Sequence, residues 1–123
     1  MLNYNLAEAG YKCDDKDIDD GVVTELNLWY SNTFMLYRTY YSWCKNFARK
    51  MKRGVYTKKL AIQGIANIYV PQIMRDYKQA NGLSAVNKCT KLATAYDIVD
   101  SIESDIKDQS IEYWIKYEIP HGY

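Results

Sequence analysis

The sequence has few of the residues that interrupt a chain. Its 123 residues include only two prolines and six glycines. Sandwiches and barrels of short strands need many turns, and turns draw heavily on glycine and proline. This scarcity, together with long periodic segments, favours helices over an all-β fold.

The chain also lacks a long apolar run and a cysteine framework. No segment approaches the length of a membrane span, and the mixed polar residues 1–9 predict no secretory signal. Cys13, Cys44 and Cys89 are odd in number and widely spaced. We therefore interpret the cysteines as reduced thiols and expect a cytoplasmic protein with no membrane partner.

Residues typical of catalysis and of metal binding are scarce as well. His121 is the single histidine, the cysteines form no C-x-x-C pair, and no Gly-rich phosphate loop or hydrolase motif occurs. Asp97, Asp100 and Glu103 have the spacing of a solvated helix face. We expect a non-catalytic protein with no catalytic residue, no metal site and no cofactor.

What the sequence does contain is enough apolar surface for a core. Hydrophobic residues make up 48% and aromatic residues 15% of the chain. This composition predicts an all-α fold, a small bundle of about four to five helices within a single domain, 1–123. We divide that domain into an acidic leader, 1–23, a helical core, 24–109, and an aromatic tail, 110–123.

The clearest predicted helix runs from about Thr33 to Arg53 and is stopped by Gly54. A shorter helix capped by Thr24 is expected before it. The apolar stripe of the longer helix recurs at steps of three and four: Tyr37, Tyr40, Tyr41, Cys44, Phe47, Ala48 and Met51.

Thr57 is expected to cap a third helix that ends at Asn81 and Gly82, with a kink or break near Pro71. Its predicted buried stripe is Ala61, Ile65, Ile68, Tyr69, Ile73, Met74 and Tyr77. Ser84 would cap a fourth helix, with the stripe Cys89, Leu92, Ala93, Tyr96, Val99, Ile102 and Ile106. The tail either extends this helix or packs back as a separate short one.

The net charge of +1 hides a strong segregation of charge. Residues 1–37 hold two lysines against seven acidic residues, and residues 92–123 repeat that balance. Residues 38–91 hold twelve lysines and arginines against Asp76 alone. The middle of the chain is therefore strongly basic between two acidic ends.

The basic residues of the second helix are ordered in space. At about 100° per residue they fall within an arc of roughly 100°, beside the apolar stripe. They are Arg38, Lys45, Arg49, Lys52 and Arg53. Two interpretations stay open: the face pairs with the acidic ends or is simply solvated, or it binds a polyanion such as nucleic acid or an acidic protein.

The turn that follows sharpens the second interpretation. Lys58 and Lys59 follow the predicted cap Thr57, so they lie at the positive end of a helix dipole, where a bound anion would relieve their repulsion. Tyr56 could stack on a base. We predict that this turn binds phosphate or an acidic side chain; the alternative is an ordinary turn with side chains in water.

Several short segments between about residues 24 and 108 form a familiar pattern: Glu25-Leu26-Asn27-Leu28, Leu36-Tyr37-Arg38, Asn46 to Met51, Arg53-Gly54-Val55-Tyr56, and the alanine-containing helix from Lys59 to Lys78. In these segments the chain resembles a family of small uncharacterised helical proteins of tailed phages and mobile elements. Pro71 and the aromatic tail depart from the family pattern. The resemblance implies a phage or mobile-element origin and transfers no site residue.

These observations predict an accessory protein that binds a nucleic-acid-associated machine of host or phage in the host cytoplasm. An inhibitor of a host defence nuclease would be one example. Alternatives are a virion or assembly protein that forms homo-oligomers, and a protein that binds nucleic acid directly. The expected partner is thus a host or phage protein, with nucleic acid or further copies of the chain as the other choices.

Overall fold

Helices form all the regular structure in the described part of the chain. The computed structural model describes residues 6–77 and 86–119, and these contain no strand. The all-α prediction is therefore confirmed. The elements are a 3-10 turn (Asp15–Asp17), α1 (Asp20–Asn32), α2 (Phe34–Lys52), α3 (Lys58–Gly64), a π segment (Ile65–Tyr69), α4 (Val70–Asp76), α5 (Lys88–Gln109) and α6 (Ile111–Lys116).

Helix α1 begins earlier than predicted, within the acidic leader. Its N-cap is Asp19, whose side chain accepts a hydrogen bond from the Val22 N–H at 3.2 Å. Thr24, the predicted cap, lies inside the helix. Carboxylates are favoured at a helix N-terminus because they cap N–H groups and oppose the dipole, so the acidic run starts a helix and not a loop.

Helix α2 matches its predicted span and carries much of the core. Cys44, Phe47 and Ala48 are almost completely buried, and Gly54 ends the helix with a φ of 73°. A left-handed residue at this point is what glycine permits at little cost. Tyr37 departs from the predicted stripe, because it lies at the margin of the buried face and remains 38% exposed.

Helices α3 and α4 form one bent helix, joined by the π segment just before Pro71. Thr57 caps it as predicted, since its side chain accepts a hydrogen bond from the Leu60 N–H at 3.3 Å. Proline lacks the N–H that an α-helix needs and its ring clashes with the carbonyl four residues back, so the preceding turn departs from α geometry. The kink near Pro71 is confirmed, but Ile68, predicted to be buried, is 60% exposed because the wider turn rotates it outward.

Helix α5 is the central element of the bundle and contacts α1, α2, α3 and the π segment. Its cap is Asn87, whose side chain accepts a hydrogen bond from the Thr90 N–H at 2.8 Å. The preceding helix ends at Asp76, earlier than predicted. The predicted end at Asn81 and Gly82, and the predicted cap Ser84, lie outside the described residues.

The tail packs back as a separate short helix, α6, which lies against α2. Ser110 separates it from α5 and caps it by accepting a hydrogen bond from the Tyr113 N–H at 3.1 Å. Trp114 is buried, and its indole N–H donates to the Asp105 carbonyl at 3.0 Å. Its ring also stacks on Tyr41, with centroids 6.1 Å apart.

The prediction that all three cysteines are reduced thiols is wrong. Cys13 and Cys89 form a disulfide, with Cα atoms 5.8 Å apart, and are not two reduced thiols. Packing of the N-terminal segment against the start of α5 brings them together, although 76 positions separate them in sequence. Cys44 alone is a free thiol, and burial raises its pKa to about 12.

Candidate partner-binding site

The tail helix covers one edge of the basic face of α2. The Lys45 ammonium donates to the Tyr117 carbonyl at 3.0 Å. The Lys52 ammonium lies 3.3 Å from a carboxylate oxygen of Glu112, and both side chains are more than half exposed. A pair this exposed contributes about 0–1 kcal/mol, so Lys52 is held weakly and Lys45 is held by the backbone of the tail.

The other edge of the face is open. Arg49, Lys50 and Arg53 are exposed at the C-terminal end of α2. Within residues 6–77 and 86–119 no carboxylate forms an ion pair with any of them. Arg38 is half-buried and lies eleven residues before Arg49, roughly 16 Å away along the helix, so it belongs to a different part of the surface.

Lys58 and Tyr56, two residues of the predicted anion-binding turn, bind side chains of α5. The Lys58 ammonium lies 2.6 Å from Asp100 Oδ1 and 3.2 Å from Glu103 Oε1. Burial lowers the pKa of Lys58, but the hydrogen bonds to these carboxylates outweigh it and the net shift is upward. The Tyr56 hydroxyl donates to Glu103 Oε2 at 2.7 Å, and burial followed by this bond raises the pKa of Tyr56.

Asp100 and Glu103 therefore have a structural role that their spacing did not reveal. They neutralise Lys58, whose ammonium also lies 4.6 Å from the centre of the Tyr96 ring. Tyr56 is half-buried and its hydroxyl is bound to Glu103, which leaves its ring poorly placed to stack on a base.

Lys59 lies on the opposite side of the turn and is exposed. Its ammonium is 5.9 Å from the centre of the Tyr11 ring, and the Tyr11 hydroxyl donates to the Lys59 carbonyl at 3.0 Å. The N-terminal segment thus lies beside the start of α3. Of the eight predicted site residues, the structure leaves Arg49, Arg53 and Lys59 as exposed cations outside any ion pair among the described residues.

An apolar depression adjoins the open cations, and sequence reasoning missed it. It encloses about 160 Å³ and is lined by Phe47, Lys50, Val55, Tyr56, Thr57, Leu60 and Ala61. Val55 and Leu60 are 58% and 62% exposed, so two large apolar side chains of this lining face solvent. The sequence could have indicated it, because Leu60 is a large apolar residue that lies outside the predicted buried stripe of its helix.

A second concavity lies between α1 and α5 and has the opposite charge. Two adjoining cavities of about 430 and 500 Å³ share Tyr30, Ser31, Asp100 and Ser101 as lining residues. Asp97 lines the larger one, and burial, followed by the charges of Asp100 and Asp20, raises its pKa to about 6. The molecule therefore has a cationic end and, on another side, an acidic groove.

The residues that the structure describes contain no group of three or more histidine, cysteine or acidic side chains arranged to hold a metal ion. They also contain no helix whose length and apolar character would let it cross a membrane. His121 lies outside the residues that the structure describes.

Comparison of the chain with protein-family models, with curated proteins and with solved structures finds no significant match. The phage-family resemblance thus stays a prediction.

Proposed function

We propose that this chain is a non-catalytic accessory protein that binds a nucleic-acid-associated machine, in the manner of an inhibitor of a host defence nuclease. A phage or mobile-element origin is part of the proposal. The observation that carries it is the exposed cationic end of α2, where Arg49, Lys50 and Arg53 have no ion-pair partner among the described residues. Unpaired cations clustered at one end of a protein raise its affinity for an acidic partner.

The immediate partner is best described as an acidic protein surface. Val55 and Leu60 place exposed apolar groups beside the cations. Protein interfaces combine an apolar centre with a polar or charged rim, whereas non-specific nucleic-acid binding relies on cations and stacking rings. The half-buried Tyr56, bound to Glu103, is poorly suited to stacking, so direct nucleic-acid binding is the weaker candidate.

The proposal places the protein in the host cytoplasm. Glutathione keeps most cytosolic thiols reduced, so the form that acts there would have the Cys13–Cys89 bond open. Binding should therefore be measured with and without a reductant.

The test is a charge reversal at the open edge. Arg49→Glu with Arg53→Glu should weaken capture of the partner from nuclease-treated host lysate by about tenfold or more, because two attractive charges become repulsive. The matched control is Arg75→Glu with Lys107→Glu, which changes two exposed cations in the last turns of α4 and α5. The control should bind like the wild type.

Three results would contradict the proposal. Equal loss in both double variants would show a general charge effect. Binding that disappears after nuclease treatment, and is recovered with added nucleic acid at low salt, would assign direct nucleic-acid binding. A large homo-oligomer by light scattering, unchanged by Arg49→Glu with Arg53→Glu, would support the assembly role.

A further inference from the structure

The bent helix presents an exposed apolar stripe on the outside of the bundle. Leu60 and Ile68 are 62% and 60% exposed, and Gly64 lies between them. A Cβ added at Gly64 would meet no atom within 4 Å, so the space above this part of the helix is open. Val55, 58% exposed, continues the stripe into the turn before α3.

The π segment aligns the two ends of this stripe. In an α-helix a step of four residues passes one full turn by about 40°, so Leu60, Gly64 and Ile68 would drift around the axis. A π turn holds more than four residues, so the four-residue step from Gly64 to Ile68 falls short of a full turn. This shortfall offsets the drift between Leu60 and Gly64. Leu60 and Ile68 therefore project from nearly the same side, roughly 12 Å apart along the axis.

On the bent helix itself the charges near the stripe are positive, and the nearby acidic residues Asp100 and Glu103 of α5 are paired with Lys58. From Lys58 to Asp76 the bent helix contains no acidic residue except Asp76 at its far end. Lys50 lines the depression together with Val55 and Leu60, and Arg53 immediately precedes Gly54 and Val55. A complementary ligand must therefore supply apolar side chains to meet the stripe and negative charge to meet these cations.

We propose that Val55, Leu60 and Ile68, with Gly64 between the last two, form a docking surface for an acidic amphipathic helix of a partner protein. Such a helix offers apolar residues at steps of three, four and seven, which match a span of two turns. Gly64 lets its backbone approach closely, and its glutamates or aspartates reach Lys50 and Arg53. This inference rests on the proposed function and specifies the partner chemistry.

The experiment is a display selection that needs no known partner. A library of 18-residue helix-patterned peptides, randomised among acidic, basic, neutral polar and apolar residues, is selected on the folded wild-type chain. Peptides that bind the immobilisation support alone are removed. We expect the recovered peptides to be net acidic and to bind Leu60→Asp and Ile68→Asp at least tenfold more weakly than the wild type, because an apolar anchor is replaced by a repelling charge.

Ser104→Asp is the matched control, since Ser104 is an exposed polar residue of α5 that lines the acidic cavity and lies outside the bent helix. It should reduce affinity less than threefold. Circular dichroism and urea unfolding would verify that each variant is folded.

The outcomes separate this inference from the proposed function. Recovered peptides that are neutral or basic, or no enrichment at all, would overturn the docking surface. So would self-association that Leu60→Asp abolishes, or binding to phosphatidylglycerol vesicles that outcompetes the peptides. If Arg49→Glu with Arg53→Glu abolishes capture from lysate while Leu60→Asp does not, the proposed function stands and the docking surface is wrong.

Discussion

Asp97 shows how a single residue is affected by the groove in which it lies. It accepts a hydrogen bond from the Asn27 amide at 3.3 Å, but it is half-buried and faces the charges of Asp100 and Asp20. Burial first, and these charges second, raise its pKa from 3.8 to about 6. The ionised carboxylate is therefore less favourable in the folded chain than in the unfolded chain.

The sign of the pH effect follows from this shift. Between about pH 4 and pH 6 the folded state binds more protons at Asp97 than the unfolded state does, so its contribution to the free energy of unfolding falls as pH rises. Asp97→Asn should stabilise the protein at pH 7 by about 1 kcal/mol, allowing for partial exposure. The gain should shrink as pH falls to 4, as measured by urea unfolding.

Asp108→Asn is the control, because Asp108 is an exposed acid of the same helix. It should change the free energy of unfolding by less than about 0.5 kcal/mol. A gain from Asp97→Asn that is the same at pH 4 and pH 7 would show that repacking, and not ionisation, is responsible.

At the scale of elements, the junction between α5 and α6 depends on one strained residue. Ser110 has φ 127° and ψ 155°, a region that glycine adopts readily and other residues rarely do. At this position the Ser110 side chain caps α6 by accepting a hydrogen bond from the Tyr113 N–H. Strain and capping thus act in opposite directions at one position.

Two substitutions separate these effects. Ser110→Gly relieves the strain and costs only a few tenths of a kcal/mol as a cap, so it should raise the free energy of unfolding by up to about 1 kcal/mol. Ser110→Ala keeps the strain and loses the cap, so it should lower that free energy by about 1 kcal/mol. Urea denaturation of both variants measures the difference, and equal effects would disprove this account.

The elements that could be predicted from sequence are those set by residues within the same turn. Thr57 and Gly54 act on their own turns, and both were identified correctly. Asp19 was missed because a run of acidic residues looks like a loop when each is considered only as a charge. Ile68 was misplaced because the π segment shifts its angle, and no simple helical period includes such a shift.

The candidate site was only partly predictable for a similar reason. The arc of cations on α2 follows from helical geometry alone, so it could be read from the sequence. Which of them stay open depends on where α6 and α5 pack. Lys45 and Lys58 are bound by Tyr117 and Asp100, partners more than forty residues away in sequence.

At the scale of the whole molecule, the disulfide should be a major source of stability. It closes a loop with a sequence separation of 76. In the chain-entropy model such a loop restricts the unfolded state strongly, and removing a native disulfide typically costs 2–5 kcal/mol. Cys13→Ser with Cys89→Ser should therefore lower the free energy of unfolding by about 2–4 kcal/mol, measured by urea unfolding.

Reduced wild type provides the internal comparison. With a reductant its unfolding midpoint should fall to that of the double serine variant, and the variant itself should not respond. An unchanged midpoint for the reduced wild type would show that the cross-link contributes nothing to stability.

The same cross-link divides the chain mechanically. Helices α1 to α4 lie inside a covalent ring, whereas nearly all of α5 and the whole of α6 follow it. A pulling force, or an unfoldase that threads the protein from its C-terminal side, would extend the segment beyond Cys89 and then stall. About 250 Å of chain inside the ring could not be extended until the sulfur–sulfur bond was reduced.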